Sequence, residues 1–145
     1  MAKRSHAREV AFQVIYQDDL NPRNNPTATD AFINERISLE GLIDFARSLV
    51  AGTRRNRPEI DAALNATADN WTLDRMAATD RNILRLAAYE LLYSDTPRAV
   101  AIDEALELAK RFGSAQSAPF VNGILDRLTP PDTSRAGAPA PDKTP

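Results

Sequence analysis

The residues best suited to chemistry lie at the beginning of the chain. Arg4, Arg8, Phe12 and Tyr16 recur at every fourth position, the spacing that sets side chains one above another along a helix. Cations bind phosphate and aromatic rings stack on bases, the combination by which proteins hold single-stranded RNA. The same ridge has a plainer reading, in which Phe12 and Tyr16 pack under a neighbouring helix and the arginines stand in water. Lys3, Arg4 and Arg8 all precede the first acid, Glu9, while the whole chain carries 18 basic and 20 acidic residues and a net charge of −2. A compact positive start on an acidic body suits local contact with a nucleic acid better than indiscriminate coating of one.

Other chemistry is thinly supplied. The chain has no Cys and a single histidine, His6, which excludes disulfide frameworks, thiolate metal sites and cysteine nucleophiles and argues against a histidine-based metal site or triad. No Gly-rich phosphate loop, metal-ligand spacing or nucleophile elbow occurs. Asp103, Glu104 and Glu107 read as charge on the exposed face of a helix, and Arg54, Arg55 and Arg57 as solvated charge. Neither a cofactor nor a metal is expected, and the protein is not read as an enzyme. No secretory leader or spanning segment is visible, so a cytoplasmic protein without membrane contact is expected.

The elements that must position the basic start all read as helices. The chain has 145 residues, 43% of them hydrophobic, enough for one domain with a real core. From Ile83 to Tyr93 only Arg85 and Glu90 interrupt an apolar run. It is too short for a bilayer, so it predicts a central helix against which every other helix packs. Before it, Ala7, Val10, Ala11, Val14 and Ile15 give an amphipathic first helix from Ser5 to about Leu20. A short second helix through Phe32 and Ile37 is expected to be capped by Thr29 or Asp30. A third begins near Leu39. It either stops near Gly52 and restarts at Pro58 or bends at the proline as one helix, and the continuing stripe of Ile60, Ala63 and Leu64 favours the bend. After the central helix, Ile102 to Ala109 form a helix closed by Gly113, and the last helix is capped by Ser117. No strand is predicted. Residues 1–128 form the helical domain, and residues 129–145, without periodicity, read as a disordered tail.

Four stretches resemble the NusB transcription antitermination family. They are ARE-VAFQVIYQ at Ala7 to Gln17, W-x-L-x-R-M-x-x-x-D-R-x-I-L-R-L-A-x-Y-E-L from Trp71 to Leu91, and the pair A-I-D-E-A-x-E-L-A-K-x-F-G (Ala101 to Gly113) and F-V-N-G-I-L-D (Phe120 to Asp126). The resemblance covers roughly Lys3 to Leu128. It implies an all-α fold of about seven helices in two packed subdomains around the central helix. It also implies a role: binding the boxA element of nascent rRNA leader RNA together with the ribosomal protein that doubles as NusE, alongside RNA polymerase and the other Nus factors. By position, the RNA-binding residues implied are Lys3, Arg4, His6 and Arg8, with Tyr16 beside them. Asp80, Gln116, Ser117 and Phe120, together with Tyr16, fall where the family meets its protein partner and adjoining RNA.

Two departures bear on that expectation. The basic run is thinned here to Lys3-Arg4-Ser5-His6, which implies weak affinity for RNA alone, and Gln116 and Pro119 stand where some relatives carry charge. Two alternatives compete with the adaptor reading. One is a homodimeric interaction scaffold with weak RNA binding. The other is a fragment of an rRNA cytosine methyltransferase, against which the lack of Cys and the tail-like C-terminus both argue.

Overall fold

An apolar run with hardly a polar interruption leaves a helix no face for water, and α5 (Ala78–Tyr93) shows the result: residues 82–88 and Glu90 are all buried. Around it pack α1 (Lys3–Leu20), α3 (Glu40–Arg55), α4 (Arg57–Thr67), α6 (Arg98–Phe112) and α7 (Ser117–Arg127). The remaining helix, α2 (Pro26–Arg36), is held by α1 and α3 and so departs from the expectation that every helix packs on the central one. The computed structural model describes residues 3–22 and 25–128. The expectation of a disordered tail concerns residues 129–145, which lie outside the described residues. Within them the fold is all-α, seven helices and a 3₁₀ turn at Leu73–Arg75, with no strand. None of these helices is long and apolar enough to cross a membrane.

The helices fall into two groups, α1 to α3 on one side and α4, α6 and α7 on the other, and α1 and α3 join the groups by packing on α5. Residue pairs fix the directions. Ser5 meets Glu104 and Phe12 meets Phe112, so α1 runs parallel to α6. Arg8 meets Glu90 and Asp19 meets Asn82, so α1 runs antiparallel to α5. The C-terminal end of α1 thereby comes to lie with the N-terminus of α5 and the α6–α7 turn. Gly52 permits a close approach of α3 to α5, since a Cβ there would overlap the Tyr89 ring.

Three local expectations are corrected. The third and fourth helices are separate: α3 passes through Gly52 and ends at Asn56, whose φ of −101° and ψ of 13° leave the helix. The backbone N–H and side-chain amide of Asn56 both turn back to the Gly52 carbonyl, at 3.1 and 2.8 Å. Pro58 then opens α4, where its missing N–H costs nothing. The second helix starts earlier than expected, at Pro26, because Asn25 rather than Thr29 or Asp30 accepts the Thr27 N–H at 2.9 Å. Ser117 is the first residue of α7 instead of its cap, and its Oγ accepts the Ser114 N–H. Gly113 does close α6, but in extended backbone (φ −100°, ψ −166°); a Cβ there would strike the Ser117 side chain and the Ala109 carbonyl.

Candidate nucleic-acid interface

Helix α1 carries candidate residues at both of its ends. Arg4 and Tyr16 are twelve residues apart, which at a rise of 1.5 Å per residue separates them by about 18 Å. The expectation that Tyr16 stands beside the basic residues is therefore corrected: it belongs to the opposite end of the helix.

At the N-terminal end, Arg4 is exposed and its guanidinium lies over the Phe45 ring, 4.1 Å from the centroid. His6 is also exposed, with Nε2 3.0 Å from the Arg36 carbonyl. A carbonyl can only accept, so Nε2 carries the hydrogen. Lys3 opens α1, and its side chain lies outside what the structure describes. Arg8 does not share their exposure. It is 4% exposed, and its Nε and Nη2 donate to the two carboxylate oxygens of Glu90, each at 2.9 Å. Glu90 also accepts the Thr96 hydroxyl at 2.9 Å. Its charge is consumed inside the protein, and Arg8 leaves the set of residues available to RNA. Glu104 likewise departs from the solvated face assigned to it, accepting the Ser5 hydroxyl at 2.7 Å in a half-buried position.

The aromatic half of the ridge divides in the same way. Phe12 is a core residue, 3% exposed, set between Tyr16 and Phe112 with centroid distances of 6.0 and 5.3 Å. Tyr16 is half-buried, packed edge-on against Phe12 and partly open to solvent. The wheel places it opposite the apolar stripe, but α5 and α6 cover the flank of α1 that runs from Arg8 to Phe12, so the buried arc is wider than the apolar residues alone suggest.

At this second end the structure gathers a different group. Asp19, in the last turn of α1, accepts Arg81 Nε and Nη2 at 2.9 and 2.7 Å and Asn82 Nδ2 at 2.9 Å. Burial pushes the Asp19 carboxyl up, but the hydrogen bonds from Asn82 and Arg81 and the charges of Arg81 and Arg85 outweigh it and hold the group below its ordinary value. Beside this junction Asp80 stands in the first turn of α5, half-buried, with Oδ1 shielded from solvent and bonded to nothing among the described residues. Phe12 and Phe112 link Tyr16 to the α6–α7 turn, where Gln116 is exposed and Ser117 is buried. Phe120, one turn into α7, is half-buried and meets the exposed ring of Trp71 edge to face at 5.9 Å. The two rings line a groove of about 260 Å³ together with Ala68, Gly123, Ile124 and Arg127.

The second basic cluster is not solvated charge throughout. Arg54 donates to both oxygens of Asp18, at 2.7 and 2.9 Å, and Arg57 pairs with Asp19 and Asp61, while Arg55 stays exposed. Sequence reasoning passed over Phe45 and Arg36. The Phe32–Arg36 spacing on α2 was a legible signal for Arg36; Phe45 carried no pattern of its own, and Trp71 stood in a motif that gave no sign of its contact with Phe120. Among the described residues no group of three His, Asp or Glu is disposed to hold a metal ion.

The sequence matches the NusB family over residues 5–130. The transcription antitermination protein NusB of Anaeromyxobacter dehalogenans (strain 2CP-1 / ATCC BAA-258) is 44% identical over 128 residues, covering 88% of this chain and 90% of that protein. The solved structure of T. maritima NusB is similar with a TM-score of 0.77 at 36% identity, over 86% of this chain and 89% of that one. A chain in the crystal structure of antitermination factors NusB and NusE in complex with dsRNA is similar with a TM-score of 0.79 at 29% identity, over 88% and 96% of the two chains.

Proposed function

Since this chain belongs to the NusB family, whose members are RNA-binding antitermination factors and not enzymes, we propose that it binds the boxA element of nascent rRNA leader RNA. It does so as a heterodimer with the ribosomal protein that serves as NusE, and the pair joins RNA polymerase and the other Nus factors in the cytoplasm to suppress termination. The working unit is the helical domain, residues 1–128. The observation that carries the RNA half of this reading is the exposed basic turn at the start of α1. Arg4 there is held on Phe45 and pairs with no carboxylate among the described residues, whereas Arg8 one turn on is committed to Glu90. A guanidinium held flat keeps its edge donors in the plane that suits a phosphate. We assign Tyr16, Asp80, Gln116 and Phe120, toward the other end of α1, to the ribosomal partner and adjoining RNA; Ser117 is buried and holds the α6–α7 turn through the Ser114 N–H, so it leaves that set. A relative solved with NusE and dsRNA supports a two-ligand arrangement of this kind.

The test is a titration of labelled boxA RNA with this protein, alone and with the ribosomal partner, followed by anisotropy and by size-exclusion chromatography. The expected result is weak binding alone, tighter binding with the partner, and a 1:1:1 complex on the column. Equal binding of a scrambled RNA, or a chain that elutes only as a homodimer and ignores both ligands, would overturn the proposal.

A further inference from the structure

Across the tip of α1 from Arg4 stands a second guanidinium of the same construction, Arg36 at the end of α2. Its Cζ lies 3.6 Å from the centroid of the Phe32 ring, as that of Arg4 lies 4.1 Å from Phe45. Arg4 and His6 are two residues apart and so point to opposite flanks of the helix, about 200° apart at 3.6 residues per turn. Arg4 faces α3, while His6 reaches the last turn of α2 and fixes it through the Arg36 carbonyl at 3.0 Å. Each flank of the tip thus carries an arginine laid on a phenyl ring.

The charge of Arg36 is also free to be used. The carboxylate it meets is Glu35 Oε1 at 3.5 Å, from a side chain that is 75% exposed. Arg8, Arg54 and Arg81 are instead held by carboxylates at 2.7 to 2.9 Å. The further bond of Arg36, Nη1 to the Phe32 carbonyl, is long at 3.4 Å. Stacking a guanidinium on a ring orients it without consuming its edge donors, and a phosphate is the ligand whose paired oxygens those donors fit. We infer that Arg36, on its Phe32 support, is a second phosphate-binding residue of the RNA face, so that one RNA strand is held by Arg4 and Arg36 on either side of the α1 tip. This inference rests on the reading that the basic end binds RNA.

The experiment is a salt titration of boxA RNA binding by the protein together with its ribosomal partner. For single strands each phosphate contact contributes about 0.7 to the slope of log K against log salt. Arg36→Ala is therefore expected to lower that slope by about 0.7 and to weaken binding about fourfold at 0.15 M salt. Arg36→Lys retains most of the slope, because it keeps the charge and loses the planar stack. Arg47→Ala, which removes a nearby arginine already paired with Asp30 at 3.2 Å, leaves both quantities unchanged. A weaker Arg4→Ala beside an Arg36→Ala equal to the parent would overturn this inference and leave the proposed function standing. An affinity loss in Arg36→Ala at unchanged salt slope would assign Arg36 to capping α2 and overturn it equally. No binding by the unsubstituted protein would overturn both.

Discussion

Arg4 and Arg8 sit one turn apart on one ridge, and the difference between them is what each meets. Both guanidiniums lie near the Phe45 ring, at 4.1 and 5.1 Å, but Arg8 continues inward to Glu90. A buried ion pair is a weak source of net stability, yet removing one partner strands the other charge out of water at a cost of about 3–5 kcal/mol. Arg8→Ala is accordingly expected to lower the urea midpoint by about a third or more, since a domain's whole stability is about 5–15 kcal/mol. Arg8→Leu with Glu90→Leu should recover most of that loss, because two apolar side chains leave no unpaired charge. A parental midpoint in Arg8→Ala combined with weakened RNA binding would return Arg8 to the RNA face, where the sequence alone puts it. The ridge was legible because arginines and aromatics at fourfold spacing are visible in one helix. The inward turn of Arg8 was not, since its partner lies 82 residues away.

At the scale of the elements, the sequence announced the helices more faithfully than their joints. The apolar run of α5 demanded burial on all sides, and periodicity alone located α1. The break between α3 and α4 was obscured because the apolar stripe runs on through Ile60 and Leu64, both fully buried; Asn56 decides the break by backbone conformation, which a periodicity count does not register. Charged joints were hidden for another reason. Arg81 and Arg85 read as the polar interruptions of an apolar motif, whereas they clamp Asp19 and Asp61 and tie α1 and α4 to α5. The Asp19 carboxyl is held below its ordinary value of 3.8 in the folded state. Its stabilising contribution is therefore present above the unfolded value and is lost as pH falls through the depressed one. The melting temperature of the protein should fall on acidification below about pH 4. Asp19→Asn should be less stable at neutral pH and show a shallower acid limb, because the group responsible no longer titrates. Parallel acid limbs in the two proteins would mean that other carboxylates set the acid response.

On the scale of the whole molecule, the directions of the helices sort the candidate residues into two sites. Because α1 runs with α6 and against α5, its basic start lies with the α2 C-terminus. Its far end lies with the N-terminus of α5 and the α6–α7 turn, about 18 Å away at the helical rise. Half-exposed Gln13 lies between the two ends and exposed Gln17 just past Tyr16, polar side chains along which the proposed RNA strand can run from one end to the other. If Arg4 holds a phosphate at one end and Tyr16 stacks a base at the other, the two contacts are independent, since substitutions more than about 7–10 Å apart and without shared partners add to within about 0.5 kcal/mol. Arg4→Ala should weaken boxA binding by the heterodimer about fourfold at 0.15 M salt. Tyr16→Ala, which removes a stacking partner worth about 1–3 kcal/mol, should weaken it about tenfold or more. The double variant should then bind with the product of the two losses, and only Arg4→Ala should flatten the salt dependence. Tyr16 also covers Phe12, so its truncation lowers the melting temperature, and the four proteins are compared at a temperature where circular dichroism shows all of them folded. A double variant no weaker than Tyr16→Ala alone would show that both residues serve one contact, and the division of α1 into two RNA-facing ends would be wrong.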